Sequence, residues 1–193
     1  MQKTCIVIVG PTASGKTSLS IQLASQLNTE IISADSRQCF KELNIGVAKP
    51  SPQELQQVKH YFINSHSIHD EVNAAIYEKL ALQYANEIFA KHDVAIVVGG
   101  TGLYIKAFCE GLDDMPPSDP AIREKIIADF DKNGIEWLQK EIEQADPDFF
   151  SLGEIQNPQR MIRALEVKQL SGKSISSFKT NSKKTRPFSI IKI

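Results

Sequence analysis

The chain opens on an unbroken apolar run, Cys5-Ile6-Val7-Ile8-Val9, and a second one, Val94-Ala95-Ile96-Val97-Val98, stands behind Asp93. Runs without polar alternation predict strands buried on both faces, as in a parallel sheet covered by helices. Glu30-Ile31-Ile32-Ser33-Ala34-Asp35 predicts a shorter strand of the same kind. Between the strands the period lengthens. Leu19, Leu23 and Leu27 recur at helical spacing. Ile76, Leu80, Tyr84 and Ile88, with Ala81, Ala85 and Phe89 alongside, predict a core-facing helix capped by Asn73 and ending near Lys91. This alternation predicts an α/β fold built on a doubly wound parallel sheet.

The pattern then changes. Asp113 to Pro120 is rich in Asp and Pro and reads as a loop. Beyond it lie helical runs: Ile122, Ile126, Ile127 and Phe130, then Ile135, Leu138 and Ile142 after Asn133-Gly134. A further helix has Asn157 at its cap, Pro158 in its first turn, Met161, Ile162, Leu165 and Leu170 within, and Gly172 past its end. Phe188 to Ile193 returns to a strand pattern, and the polar stretch Ser174 to Lys184 is expected to be mobile. These signals predict an α/β core over 1–114, rejoined by 187–193, with a helical insertion over 115–186.

Composition narrows the class. With 193 residues and 41% apolar content, the chain has material for one core plus a small insertion. No run of about 18 apolar residues is present and the first strand starts without a signal-peptide stretch, so no membrane span and a cytoplasmic location are expected. Cys5, Cys39 and Cys109 form no CxxC pair, and His60, His66, His69 and His92 show no metal-ligand spacing, so neither disulfides nor a zinc site is expected. The net charge of −1 conceals an asymmetry: Asn157 to Arg186 carries eight bases against Glu166 alone, whereas Glu110 to Glu154 carries thirteen acids against four bases. A basic stretch suits a polyanion, though a solvated helix face would look the same.

Candidate chemistry sits at the end of the first strand. Gly10-Pro11-Thr12-Ala13-Ser14-Gly15-Lys16-Thr17 is a P-loop in its strand-turn-helix setting. Its amides and the helix start make an anion nest, Lys16 adds a cation, and Thr17 can ligate Mg2+ beside a bound diphosphate or triphosphate. Asp35, at the end of its own strand, belongs beside this site, either as a proton acceptor or as a metal-shell or capping carboxylate. The strand ending in Gly99-Gly100-Thr101 lacks the aspartate that NTP-hydrolysing proteins usually place there. Two classes fit: small-molecule kinases, and transferases whose leaving group is diphosphate. An RNA-binding fragment without catalysis is a third reading, suggested by the basic segment.

Five segments in order, GPTASGKT (10–17), SADSRQ (33–38), IGVAKP (45–50), VGGTGLY (98–104) and NPQRMIRALEV (157–167), resemble the tRNA dimethylallyltransferases, also called tRNA isopentenyltransferases. The resemblance implies transfer of a dimethylallyl group from dimethylallyl diphosphate to the exocyclic amine of the adenosine following the tRNA anticodon, with Mg2+ as cofactor. It makes Asp35 the base and sets Thr101 beside the reacting groups, with Lys16 on the leaving diphosphate. It also implies that Asp35, Ser36, Arg37, Gln38, Thr101, Arg123, Gln159, Arg160, Met161, Ile162 and Arg163 contact the tRNA anticodon stem-loop. A monomer is implied too, as is a family chain that continues roughly a hundred residues beyond Ile193, so that this fold would be cut short at its C-terminus. Phe40, Glu42, Leu43, Asn44 and Val47 depart from the family's usual Tyr, Gly, Met, Asp and Thr.

Overall fold

The protein is described here from a computed structural model covering residues 2–180 and 182–193. Five parallel strands, β1 (Thr4–Val9), β2 (Ile31–Ser33), β3 (His60–Tyr61), β4 (Val94–Gly99) and β5 (Ser189–Lys192), form one sheet in the order β3-β2-β4-β1-β5. Because successive side chains point to opposite faces, each apolar run feeds two cores. Cys5, Val7, Ile32, Ala95 and Val97 pack on one face, with α3 (Ala74–Phe89) and α4 (Gly102–Glu110). Ile8, Ile31 and Ile96 pack on the other with α1 (Lys16–Gln26) and Val58, which follows α2 (Pro52–Gln57).

Two helical faces differ in part from expectation. On α1 the buried residues are Ser20, Ile21 and Ala24, while Leu19 and Leu27 are exposed. Leu23, from the expected line, is half-buried and packs against the same core. On α3 the expected Ala81, Ala85, Ile88 and Phe89 are buried and Ile76, Leu80 and Tyr84 are half-buried, while Tyr77, not foreseen, is fully buried, its ring stacked on Tyr104 of α4 at 4.2 Å. Asn73 caps α3 as expected, accepting from the amides of Ala75 and Ile76 at 3.0 Å each.

Gly99 ties β4 to β2 where the site begins. A Cβ there would fall 2.2 Å from the carbonyl oxygen of Ala34 and 2.4 Å from its carbon, so only glycine lets the strand ends approach this closely.

The chain divides into two compact units, residues 1–112 with 183–193, and residues 113–182. The joints lie before those expected at 114/115 and 186/187, because residues 183–186 are bound to the sheet-bearing unit. Lys183 pairs with Glu110 at 3.2 Å, and Arg186 with Glu78 at 2.8 Å. The helical unit contains α5 (Pro120–Ala145), α6 (Pro147–Ser151) and α7 (Pro158–Ser171), with its own core around Ile126, Leu138, Ile142, Met161 and Leu165. Gly134, at φ 78° and ψ −174°, breaks α5 where Asn133-Gly134 predicts a break. The stretch expected to be mobile holds a 3-10 helix, Ile175–Phe178, capped by Ser174 with Ile175 buried; Asn181 within it lies outside the described residues.

Candidate functional site

The loop from Gly10 to Gly15 turns the chain from β1 into α1. Gly15 caps the helix in the left-handed region at φ 83°, and Ala13 also has positive φ, at 65°. The Lys16 ammonium folds back on this loop, bonded to the Pro11 carbonyl and 3.4 Å from Ser14 Oγ. A bound anion would replace these partners.

Asp35 follows β2, and its Oδ1 accepts from the amides of Arg37 at 2.9 Å and Gln38 at 3.2 Å. The capping role is therefore real, and it falls on one oxygen. Thr101, the cap residue of α4, locks the two strand ends together: its amide donates to the Ala34 carbonyl at 3.2 Å, and its Oγ1 accepts from the Ser36 amide at 3.0 Å.

Two cavities meet at this point. One, of about 310 Å³, is lined by the P-loop and the start of α1, including Lys16 and Thr17, and by Glu54 and His60. The other, of about 350 Å³, is lined by Ser36, Arg37, Thr101, Gly46 and Val47. Asp35, Thr12, Ala48 and Gly100 border both.

The loop over 40–50 that walls them is pinned from beneath. Gln38 Nε2 donates to the Ala48 carbonyl at 2.6 Å while its Oε1 accepts from Ser33 Oγ at 2.9 Å. Lys49 Nζ donates to the Phe40 carbonyl at 2.7 Å and to Asn64 Oδ1 at 2.6 Å. Gln38 thus acts as a loop anchor, with both ends of its amide committed. Arg37 is exposed.

His60 and Glu54 were not foreseen as site residues, since a two-residue strand has no periodicity to reveal it. Nδ1 of His60 lies 2.8 Å from the Val58 carbonyl and so carries the hydrogen, while its buried Nε2 has no partner among the described residues. Burial holds this imidazole below the ordinary histidine range.

Mg2+ suits the donor set: it usually takes one or two protein oxygens and fills its shell from substrate phosphates and water. Thr17, in the P-loop cavity, would be the protein ligand. Among the described residues no group of three His, Cys, Asp or Glu could hold a metal alone.

In the helical unit the expected RNA contacts separate into two sets. Arg123, Gln159 and Arg163 come together around Glu166, and Arg160 pairs with Glu154 at 2.9 Å. Met161 and Ile162 are 0% and 1% exposed. Their side chains fill the core of the unit, so neither presents a side chain for the expected contact with RNA.

Comparison with known proteins places these features in a family. A model described as IPP transferase matches residues 38–193. The tRNA dimethylallyltransferases of Cytophaga hutchinsonii and Christiangramia forsetii are 48% and 49% identical over 193 residues, all of this chain, which spans 64% of each relative's length. Among solved structures, a eukaryotic dimethylallyltransferase acting on tRNA superposes with TM-score 0.77 at 28% identity, covering 98% of this chain and 47% of that one. The full-length tRNA isopentenylpyrophosphate transferase of Bacillus halodurans gives 0.55 at 34% identity, covering 91% and 57%.

Proposed function

The chain belongs to the IPP transferase family, and on that footing we propose that it transfers a dimethylallyl group from dimethylallyl diphosphate to the exocyclic amine of the adenosine 3′ to a tRNA anticodon. The observation that carries this reading is Asp35, which borders both cavities. The P-loop cavity takes the diphosphate. The cavity beside Ser36, Arg37 and Thr101 takes the flipped adenine, drawn from a single-stranded loop whose bases can be splayed out.

The reaction breaks the allylic carbon–oxygen bond and forms a carbon–nitrogen bond, so negative charge grows on the diphosphate as the amine loses a proton. Lys16 and the loop amides stabilise the first change. Mg2+ held by Thr17 would supply further neutralisation of the leaving group. The adenine amine is a poor nucleophile because its lone pair is delocalised, and Asp35 accepts its proton as the new bond forms. The capping bonds hold Oδ1 in place, leaving Oδ2 for that proton. Thr101 fixes the Asp35-Ser36 turn relative to β4.

The test is label transfer. Unmodified tRNA, Mg2+ and isotope-labelled dimethylallyl diphosphate are incubated with the chain, with the Cytophaga hutchinsonii relative as positive control. Label is expected in the RNA. Asp35→Asn is expected to lower turnover about 10²-fold or more, by the size of a lost general base. Asn can keep both capping bonds, so RNA binding should be spared, and unchanged turnover would remove Asp35 from this role. No label, together with phosphoryl transfer from ATP to a small acceptor, would favour a kinase.

A further inference from the structure

Glu166 on α7 is 0% exposed, an unusual place for a carboxylate, and all its acceptor positions are used from three directions. Its Oε1 accepts from Ser118 Oγ and from the Asp119 amide at 2.8 Å, just where Asp119 caps α5. Its Oε2 accepts from Nη1 of Arg163 at 2.9 Å and from Nη1 of Arg123 at 3.3 Å. Each guanidinium is fixed at a second point: Arg163 Nη2 donates to the Pro116 carbonyl, and Arg123 Nη2 to Gln159 Oε1 at 3.1 Å. The arginine side chains are 27% and 32% exposed, so each is anchored inside and reaches solvent outside.

A buried ion pair is a weak source of stability, because desolvation offsets most of the attraction. What the arrangement supplies is geometry. Two planar cations that would otherwise be flexible are held on one carboxylate oxygen with a net charge of +1 for the trio. Guanidinium groups offer paired donors that match phosphate oxygens.

We propose that Glu166 is a positioning residue that presets Arg123 and Arg163 as a clamp for the sugar-phosphate backbone of RNA. This rests on the reading of the protein as tRNA-modifying. The clamp recognises backbone rather than base, so it adds affinity and register without sequence preference. Glu166 itself touches no RNA.

The test uses the whole chain and a fluorescent, unmodified anticodon stem-loop, with affinity measured across a range of salt and each variant's melting temperature recorded. Simple electrostatics predicts that Glu166→Gln, which removes a negative charge, binds RNA more tightly. Positioning predicts the opposite, about tenfold weaker binding, the scale of one charge-assisted hydrogen bond. Arg123→Ala with Arg163→Ala should weaken binding and lower the salt slope by about 1.4, at roughly 0.7 per contact to a single strand. Adding Glu166→Gln to that pair should change affinity no further. Arg163→Lys keeps the charge but cannot span Glu166 and Pro116, and it too should weaken binding, which serves if Glu166→Gln does not fold. Wild-type or tighter affinity in Arg163→Lys or in folded Glu166→Gln, or an additive loss in the triple variant, overturns the proposal. If the double arginine variant binds as well as the wild-type chain, or the wild-type chain does not bind, the RNA reading of this face fails instead.

Discussion

At the residue scale, the site relies on side chains that hold backbone more than on side chains that stand free. Asp35, Ser36 and Thr101 are laced through amides, and Gln38 and Lys49 spend their polar groups on the loop over 40–50. Lys16 differs: its bonds to Pro11 and Ser14 are exposed and exchangeable. Lys16→Ala is therefore expected to leave the melting temperature nearly unchanged while lowering turnover about 10²-fold, the usual effect of removing one group aimed at developing charge. Steady-state kinetics with dimethylallyl diphosphate alongside a thermal melt checks both halves, and normal kinetics would separate the P-loop from the donor. That the P-loop and Asp35 lie together was legible from the strand-turn-helix motif and the strand end, and Thr101 was reached through the family resemblance; all three line the adjoining cavities. Lys49, His60 and Glu166 were not legible, since what each does depends on partners that only folding supplies, such as Asn64 for Lys49 and Ser118 for Glu166.

At the element scale, the sequence specified ends better than faces. Asn73, Asn157 with Pro158, and Gly172 stand where expected because capping is local backbone chemistry. Burial faces on α1 and α3 are set by what each helix packs against, which apolar spacing alone does not encode. The requirement at Gly99 comes from within the sheet, where the ends of β2 and β4 approach. Gly99→Ala would drive a methyl group into the Ala34 carbonyl, and backbone cannot turn aside as a flexible side chain would. It is expected to cost about 3 kcal/mol, at the upper end for overpacking. Because Ala34 precedes Asp35, turnover should fall too. Denaturant unfolding with an activity assay measures the two losses, and wild-type stability would mean that β2 and β4 separate more readily than their pairing indicates.

At the scale of the whole molecule, the charge asymmetry of the sequence folds away only in part. Arg160 meets Glu154 and Lys183 meets Glu110, which joins the basic stretch to the acidic one, whereas Arg163 meets Glu166 within the basic stretch and Arg186 meets Glu78. Residues 113–182 form a contiguous unit with its own core, and a fragment of that span is expected to be helical and to melt cooperatively. Its stability should depend on Glu166. Burial raises this carboxyl, but the bonds from Ser118, Arg163 and the Asp119 amide outweigh burial and hold it below the ordinary glutamate range. The resulting stability is present above the unfolded value, about pH 4.3, and is lost as pH falls through the depressed native one. Acid titration of the fragment by circular dichroism checks this, with Glu166→Gln expected to flatten the decline; a non-cooperative melt at neutral pH would mean that the span is not self-sufficient.

The chain leaves and re-enters the sheet-bearing unit beside a single backbone bond, from the Lys184 amide to the Glu110 carbonyl at 2.8 Å, and Thr180 is tied to Asp113 at 3.0 Å within the helical unit. The helical unit is thus spliced in like a cassette, with its incoming and outgoing wires side by side. A change in the length of the span between those two joints need not alter the strand register around Asp35, because both joints fall outside the paired strands.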